Sequence, residues 1–196
     1  MQSATYQRSS MPLEQNQAEK RFYARYYPRR MMAEVLLDAI SQVIDVPSTF
    51  NEIAFNGADK QKTDFYPRGT RAIQLYDSAV ASNFLKTFGR NDRAITCECE
   101  RSDEPSMIQV LHISNGSTIN NKMKNKDSHV TKLAASEKPF AEIIDDAYLR
   151  CLSRHPTDQE AKALLVMMQE SRDDRRIAVE DLYWAVLSSR EFLFNH

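Results

Sequence analysis

The sequence has no long apolar run and almost no net charge, and both absences exclude classes of protein. Its apolar stretches are short and interrupted by charged residues, whereas a helix that crosses a bilayer needs about 20 apolar residues. Lysine and arginine number 26 and aspartate and glutamate 27, for a net charge of −1. This balance creates no overall field that would attract nucleic acid or an anionic membrane. We therefore expect no membrane span and no nucleic-acid partner.

Cysteine is scarce as well, which bears on disulfides, metals and haem. The three cysteines, Cys97, Cys99 and Cys151, are too few and odd in number for a disulfide framework, although one pair with one free thiol fits the count. Cys97 and Cys99 with His112 could be soft metal ligands, but a CxC spacing lacks the four ligands of a structural zinc site. The CxxCH motif that attaches a c-type haem is absent. We predict no metal and no cofactor for this chain.

The length and the apolar content fit one globular domain or two small helical subdomains that share an interface. The chain has 196 residues, of which 42% are hydrophobic, and a chain of this length can bury a core without metal or disulfide support. The polar residues 1–27 predict an irregular arm. Residues 28–138 predict a helical subdomain and residues 139–196 a C-terminal helical unit, together forming one domain.

The first sustained helical pattern follows Pro28. Proline suits a first helical turn, where its missing N–H would have no partner. One helix face is predicted from the apolar residues Val35, Leu36, Ala39, Ile40, Val43 and Ile44. Pro47 ends this helix. Residues 48–70 contain turn residues without a sustained period, so they predict a long loop that is either mobile or functional.

A second helix and the only recognisable strand are predicted next. Asp77 suits an N-cap, and Gly89 suits the left-handed residue that ends the helix. Its apolar face would consist of Val80, Phe84, Leu85 and Phe88. Residues 94–101 alternate between apolar and polar side chains, as a short half-buried strand does.

Two short helices are predicted after this strand. Residues 102–105 would open the first, which Asn115-Gly116 closes. Its inward residues would be Met107, Ile108 and Leu111. Ser117 is the predicted cap of a further helix through Met123.

The C-terminal third has the clearest helical pattern. After Pro139, the apolar stripe consists of Phe140, Ile143, Ile144, Ala147, Tyr148, Cys151 and Leu152. His155-Pro156 breaks this helix, and residues 157–160 form a capping box for an antiparallel helix with Ala161, Leu164, Leu165 and Met168 inward. A last helix near residues 174–190 uses Ala178, Leu182, Ala185 and Val186. We predict a mainly α fold with long loops, one short extended segment near residues 94–101, and a C-terminal three-helix unit.

Charged residues are dense around residues 90–104 and allow two interpretations. Arginine forks hold carboxylate, sulfate or phosphate, and the candidate anion-binding residues are Arg68, Arg71, Arg90, Arg93 and Arg101. The candidates for an acid and a base are Glu98, Glu100 and Glu104. The same side chains could instead form ion pairs that join loops to helices, which is a common arrangement. The sequence establishes no catalytic residue.

Neither the histidines nor the aromatic residues of the arm form a recognised motif. His112 has no nucleophile motif around it, so a structural or surface role is favoured, and His129, His155 and His196 offer no stronger pattern. The aromatic run within residues 22–27 lies among arginines. It could stack on sugar rings, or it could simply dock the arm on the core.

Several segments together resemble one protein family. They are SATYQRSS, YYPRRMMAEVLLDAISQV, GTRAIQL, FGRNDRAITCECERSDEPSMIQVLHISNG and DLYWAVLSSREFLFNH. From about residue 3 to its end, the chain resembles the planctomycete-specific C-terminal domain of unknown function (PSD-one type, domain-of-unknown-function family fifteen fifty-three). The block from Cys97 to Pro105 is its most specific part. The chain begins where that family is already well into its domain, so we expect an N-terminally truncated fragment.

The resemblance implies a context for the chain. In that family this segment ends a much longer protein, whose upstream parts carry an export signal, often a c-type cytochrome-like domain, and a companion domain without known function. The N-terminus has no apolar signal core and alone would indicate a cytoplasmic chain, whereas the resemblance favours export. We expect an interaction or scaffold module whose partners are other domains of the full-length protein. The alternatives are an enzyme domain acting on an anionic glycan, or an electron-transfer partner of the cytochrome-like domain.

Overall fold

The chain is mainly helical, as predicted. The computed structural model describes residues 4, 7–18, 21–54, 59–76, 79–90, 107–109, 116–170 and 174–195. The helices are α1 (Ala33–Ile44), α2 (Asn83–Thr87), α3 (Ser117–Met123), α4 (His129–Ala134), α5 (Phe140–Leu152), α6 (Asp158–Glu170), α7 (Arg175–Leu187) and α8 (Arg190–Leu193), with a 3-10 helix at Ala72–Gln74. None of the helices in these ranges is long and apolar enough to cross a membrane.

Two small antiparallel strand pairs accompany the helices. Strand β1 (Arg29–Arg30) pairs with β4 (Phe194–Asn195), and the N–H of Met31 donates to the carbonyl of Leu193 at 3.0 Å. Strand β2 (Glu52–Ile53) pairs with β3 (Gln61–Lys62). Through the first pair, backbone hydrogen bonds join the segment that precedes α1 to the C-terminal end of the described chain.

Helix α1 begins later than the sequence predicts. Pro28 does not start it, because the two residues that follow are extended and pair with β4. The helix begins after Met32, and its buried face consists of Ala33, Glu34, Leu36, Leu37, Ile40, Val43 and Ile44. Val35 was assigned to this face wrongly, since its side chain is exposed.

The predicted long loop at residues 48–70 contains the β2–β3 hairpin. Each strand is two residues long, which is too short to show an alternating pattern. Ile53 also forms a bridge with Val80, so Val80 belongs to this small sheet and not to a helix face. The strand predicted at residues 94–101 lies outside the described residues.

Helix α2 is shorter than predicted and has a different cap. Its N-cap is Ser82, whose hydroxyl accepts the N–H of Leu85 at 3.3 Å, and not Asp77. The predicted inward residues Phe84, Leu85 and Phe88 are buried, and Gly89 adopts the expected positive φ of 86°. A serine two positions before the apolar pair was the correct signal.

Two inward residues of the segment around 107–109 were predicted wrongly, and the third, Leu111, lies outside the described residues. Met107 and Ile108 are 74% and 68% exposed, whereas Gln109 is buried. The side-chain amide of Gln109 donates to the carbonyl of Thr87 at 3.1 Å, at the end of α2. Helix-terminal carbonyls have no partner within their own helix, so a polar side chain is turned inward here.

Helices α5, α6 and α7 form the predicted three-helix unit. Each packs on the other two, and α4 packs on α7 from a second side. The buried residues of α7 are Ala178, Val179, Leu182, Tyr183, Val186 and Leu187. The capping box that begins α6 is present, because Glu160 accepts the N–H of Thr157 at 2.8 Å and donates its own N–H to the Thr157 hydroxyl at 3.3 Å.

Helix α3 has the predicted bounds, and α4 was not predicted. Gly116, not Ser117, is the N-cap of α3. Helix α4 begins after Ser128, whose buried hydroxyl accepts the N–H of Thr131 and donates to the carbonyl of Met123, at 3.0 and 2.8 Å. Its two buried apolar residues, Val130 and Leu133, are too few to mark a helix in the sequence.

Candidate interaction surface

Three aromatic side chains form a cluster at the surface, between the hairpin and α2. The ring centroids of Phe65 and Tyr66 are 5.0 Å apart, those of Phe65 and Tyr76 are 5.5 Å apart, and those of Tyr66 and Tyr76 are 5.8 Å apart. Phe65 is 60% exposed and Tyr76 is 58% exposed, while Tyr66 packs partly against the core. We refer to Phe65, Tyr66 and Tyr76 as the aromatic surface.

The segment that carries the aromatic surface is held by tertiary contacts. Asp38 of α1 accepts the backbone N–H groups of Ala72 and Ile73 at 2.6 and 3.0 Å, and so caps the 3-10 helix from another element. Ala72 and Leu75 are buried beneath it. These contacts fix the backbone between the aromatic residues, so the rings are presented by an ordered platform.

A local turn completes this platform. The hydroxyl and the N–H of Thr70 both donate to the carbonyl of Pro67, at 2.7 and 3.1 Å. Gly69 has a φ of 95°, a conformation that side-chain-bearing residues rarely adopt. The turn therefore depends on glycine, and it places Arg68 and Arg71 on the exposed side of the segment.

The predicted anion-binding arginines occupy two different environments. Arg68 and Arg71 are exposed beside the aromatic surface. Arg90 is buried instead, and its Nε lies 3.5 Å from Oε1 of Glu34, with both side chains 7% exposed. Its Nη2 donates to the carbonyl of Leu75 at 3.3 Å, so it supports the platform from inside. The structure does not bring Arg90 to the surface with the other two.

The remaining predicted site residues lie outside the described residues. They are Arg93, Arg101, Glu98, Glu100 and Glu104. Cys97, Cys99 and His112 lie outside them too. In the part of the chain that is described, no three histidine, cysteine or acidic side chains are grouped so that they could hold a metal ion.

Sequence reasoning missed a polar network among α4, α5 and α7. Oδ2 of Asp146 accepts hydrogen bonds from Nε2 of His129 and from the hydroxyl of Tyr183, each at 2.7 Å. Arg150 lies 3.8 Å from the same oxygen. Burial alone would raise the pKa of Asp146, but these hydrogen bonds and the charge of Arg150 outweigh it and lower the pKa below its ordinary value. Tyr183 is fully buried, whereas the side chains of His129 and Asp146 are 18% and 29% exposed. We refer to the three residues as the buried triad, after the position of Tyr183.

The side chains around the buried triad are not poised for reaction. Burial, followed by the hydrogen bond to Asp146, raises the pKa of Tyr183. Burial also raises the pKa of the Cys151 thiol to about 12, so this cysteine carries no thiolate near neutral pH. Both shifts suit a structural network that joins three helices.

A second missed network joins α5, α6 and α8 around Arg154. Its guanidinium donates to both carboxylate oxygens of Glu160, at 2.9 and 2.8 Å, and to both of Glu191, at 2.7 Å each. Hydrogen bonds from Arg154 and from the Thr157 backbone lower the pKa of Glu160 to about 2. Glu160 is therefore ionised near neutral pH and cannot donate a proton there.

A buried lysine of α3 lies near the C-terminal end of α1. Nζ of Lys122 donates to the carbonyl of Val46 at 2.7 Å. Burial lowers the pKa of Lys122 from its ordinary value of 10.5 to about 8, against the opposing charge of Asp38. This connects Lys122 electrostatically to the residue that caps the platform.

The lowered pKa of Lys122 predicts a rise in stability at alkaline pH. Between pH 8 and 10.5 the unfolded chain keeps the lysine proton that the folded chain has lost, so unfolding becomes less favourable as pH rises. The pKa difference corresponds to roughly 3 kcal/mol. Urea denaturation at several pH values should show the wild type gaining stability relative to Lys122→Met between pH 8 and 10.5. The comparison with the variant is needed because the raised pKa values of Cys151 and Tyr183 lower the stability of both proteins in the upper part of this range. Parallel stability curves for the two proteins would contradict it.

Comparison with known proteins gives a family but no function. A family model described as PSD1, protein of unknown function (DUF1553), matches residues 1–168. This confirms the resemblance over residues 1–168, whereas the segment DLYWAVLSSREFLFNH, residues 181–196, lies beyond the match. No curated protein and no solved structure matches the chain.

Proposed function

Since the chain belongs to the PSD1 family of proteins of unknown function, we propose that it is an interaction module of a larger exported protein, which docks on a partner domain through the aromatic surface. The observation that carries this proposal is the exposure of Phe65 and Tyr76 on an ordered platform. Large exposed aromatic groups on a well-ordered backbone are typical of binding surfaces.

The composition of this surface supports a protein partner. Aromatic side chains and arginine are enriched in protein–protein interfaces, where a few of them account for most of the binding energy. Here two exposed arginines, Arg68 and Arg71, lie in the same segment as the aromatic cluster. Because the platform is already ordered, its docking requires little loss of backbone entropy.

The charge of the segment indicates the character of the partner. Between residues 59 and 76, Lys60, Lys62, Arg68 and Arg71 outnumber Asp59 and Asp64, although Lys60 is 3.4 Å from Glu52. We infer a partner domain with an apolar patch surrounded by acidic residues. Complementary charge would speed association and select the partner, while the aromatic rings would supply most of the affinity.

The pairing of the half-buried carboxylates also favours an interaction role over hydrolysis. Glycoside hydrolysis needs two carboxylates about 5–10 Å apart and open to a pocket. In the described part of the chain, Glu34 is buried against Arg90, and Arg154 engages both Glu160 and Glu191. Asp146 is engaged by His129 and Tyr183. Each of these four carboxylates has a charged or hydrogen-bonding partner, which suits a role in stabilising the fold.

We expect the partner to be one of two domains that the resemblance implies upstream of this segment: the companion domain or the c-type cytochrome-like domain. The chain should be titrated by isothermal calorimetry with each of them, purified from a full-length family member. We expect one of them to bind with a micromolar or tighter Kd. Replacing Phe65 or Tyr76 with alanine should weaken binding about tenfold or more, as expected for interface aromatic residues.

A matched control is Phe22→Ala, since Phe22 is another exposed phenylalanine, outside this segment. The Phe22→Ala protein should bind the partner domain with the same Kd as the wild type. If neither domain binds, or if the Phe65→Ala and Tyr76→Ala proteins bind as well as the wild type, the proposal is wrong. Binding to the cytochrome-like domain alone that is weak and disappears in moderate salt would favour the electron-transfer role.

A further inference from the structure

A cleft lies between the N-terminal arm and the C-terminal end of the chain. It has a volume of about 550 Å³ and is lined by Ser10, Met11, Pro12, Arg25, Pro28, Arg190, Glu191 and Phe194. Small-molecule sites commonly have volumes of roughly 300–1,000 Å³, so this cleft is large enough for a compact organic ligand. The cleft is remote in sequence from the segment that carries the aromatic surface.

The charges that line the cleft are unbalanced. Its one carboxylate, that of Glu191, is engaged at both oxygens by Arg154. Arg25 and Arg190 also line the cleft, and neither has a carboxylate partner among the described residues. With two guanidinium groups against one carboxylate, the lining of the cleft carries a net positive charge.

Both guanidinium groups are held in place by aromatic rings. The guanidinium carbon of Arg25 lies 4.4 Å from the ring centroid of Tyr27, and that of Arg190 lies 5.6 Å from the ring centroid of Phe194. Nη1 of Arg25 also donates to the carbonyl of Ser10 at 3.1 Å. Such contacts orient the planar guanidinium forks before any ligand arrives.

Arg25 has a donor that lacks an acceptor. Its Nε–H is buried and forms no hydrogen bond within the described structure. A buried donor without a partner is costly, and it is rarely retained unless a ligand or water supplies the acceptor. An oxyanion in the cleft would offset the charge of the guanidinium that carries this donor.

We propose that this cleft binds a small organic molecule that carries a carboxylate, sulfate or phosphate group, with Arg25 and Arg190 holding the oxyanion. Bidentate guanidinium–oxyanion pairs are strong and geometrically selective. The apolar side chains of Met11, Pro12 and Pro28 would contact the uncharged body of the ligand. This site is independent of the proposed docking surface, so either could exist without the other.

The test uses the full chain and four probes of the same body size: glucuronate, glucose 6-sulfate, glucose 6-phosphate and uncharged glucose. Ionic strength is matched with potassium chloride, and the Kd is measured by calorimetry alongside the Tm. We expect saturable binding of at least one anionic probe, which also raises the Tm, and no binding of glucose. The ranking of the three anions identifies the oxyanion.

Two variants distinguish a site from general attraction to a basic surface. Arg190→Gln should weaken binding of the preferred probe tenfold or more, and Arg25→Gln should have a similar effect. Arg176→Gln removes an exposed arginine of α7 that belongs neither to the cleft lining nor to the docking surface, and it should leave the Kd unchanged. Nη1 of Arg25 also donates to the Ser10 carbonyl within the arm, so Arg25→Gln changes the arm as well as the site. Arg190→Gln leaves that contact intact, and its effect on the Kd therefore tests the site by itself. Failure of every anionic probe to bind, or equal weakening by all three variants, would overturn the proposal.

Discussion

Replacing Glu34 with alanine is expected to lower the free energy of unfolding by about 3–5 kcal/mol, because it removes the carboxylate that pairs with the buried guanidinium of Arg90. Glu34 and Arg90 are both 7% exposed, and Nε of Arg90 is 3.5 Å from the carboxylate. Water cannot reach Arg90 to replace the lost carboxylate. The measurement is urea denaturation of the wild type and Glu34→Ala at neutral pH.

The control for this prediction is a pair with similar chemistry at the surface. Glu180 and Arg176 lie one helical turn apart, with the arginine half exposed, and Glu180→Ala should cost less than about 1 kcal/mol. The double variant Glu34→Met with Arg90→Met should be more stable than Glu34→Ala, since it removes both buried charges. A loss below 1 kcal/mol for Glu34→Ala would show that the pair is open to solvent.

The Glu34–Arg90 pair also connects the core to the candidate surface. Arg90 donates to the carbonyl of Leu75, next to Tyr76, while Asp38 of the same helix α1 caps the 3-10 helix. Two acidic residues one helical turn apart in α1 therefore support the platform. Weakening either contact should loosen the aromatic surface before it unfolds the three-helix unit, which does not depend on these contacts.

The sequence predicted those elements whose pattern is long and local. Helix α5 spans 13 residues and shows its apolar stripe in full, and the Thr157–Glu160 capping box is complete within four residues. Such elements are specified by neighbours along the chain, so a single sequence contains the whole signal. The three-helix unit was accordingly predicted correctly.

The elements that escaped prediction are those held by distant partners. Strands β1 and β4 are each two residues long, and they pair across more than 160 residues of the chain. Gln109 was overlooked as an inward residue because its partner, the Thr87 carbonyl, lies 22 residues away. No local period could reveal either contact.

The candidate surface was half visible in the sequence. Arg68 and Arg71 were singled out for their charge, but the three aromatic residues beside them were not, since they occur in a segment without a helical or strand period. The sequence did contain one signal, because these aromatic residues belong to no predicted core stripe. Such residues are either buried by other elements or exposed at the surface. Here Phe65 and Tyr76 remain exposed.

The buried triad was invisible for the same reason as the strands. His129 is 17 residues from Asp146, and Tyr183 is 37 residues from it, so only the packing of α4, α5 and α7 brings them together. Asp146 is also adjacent to Asp145, and nothing in the sequence distinguishes the two. The structure does, because Asp145 pairs with the exposed His155.

This contrast between adjacent aspartates gives a second prediction of large effect. Asp146→Ala should lower the free energy of unfolding by about 2–4 kcal/mol, since it leaves the buried hydroxyl of Tyr183 and the ring nitrogen of His129 without their acceptor. Asp145→Ala should cost less than about 1 kcal/mol, because its partner is largely exposed and water can replace it. Equal losses for the two variants would show that the triad is not a tertiary contact.

The pH dependence provides an independent check on the same carboxylate. The pKa of Asp146 is lowered in the folded chain, so below its ordinary value of 3.8 the unfolded state binds a proton more readily than the folded state does. The stabilisation is therefore fully present above pH 3.8 and is lost as pH falls through the folded pKa. Acid should narrow the difference in free energy of unfolding between the wild type and Asp146→Ala. The Tyr183→Phe protein should keep part of the pH-dependent stabilisation, because its Asp146 still accepts the hydrogen bond from His129. A constant difference down to the acid transition would mean that Asp146 is not the titrating group, and the helices α4, α5 and α7 would then owe their association to apolar packing alone.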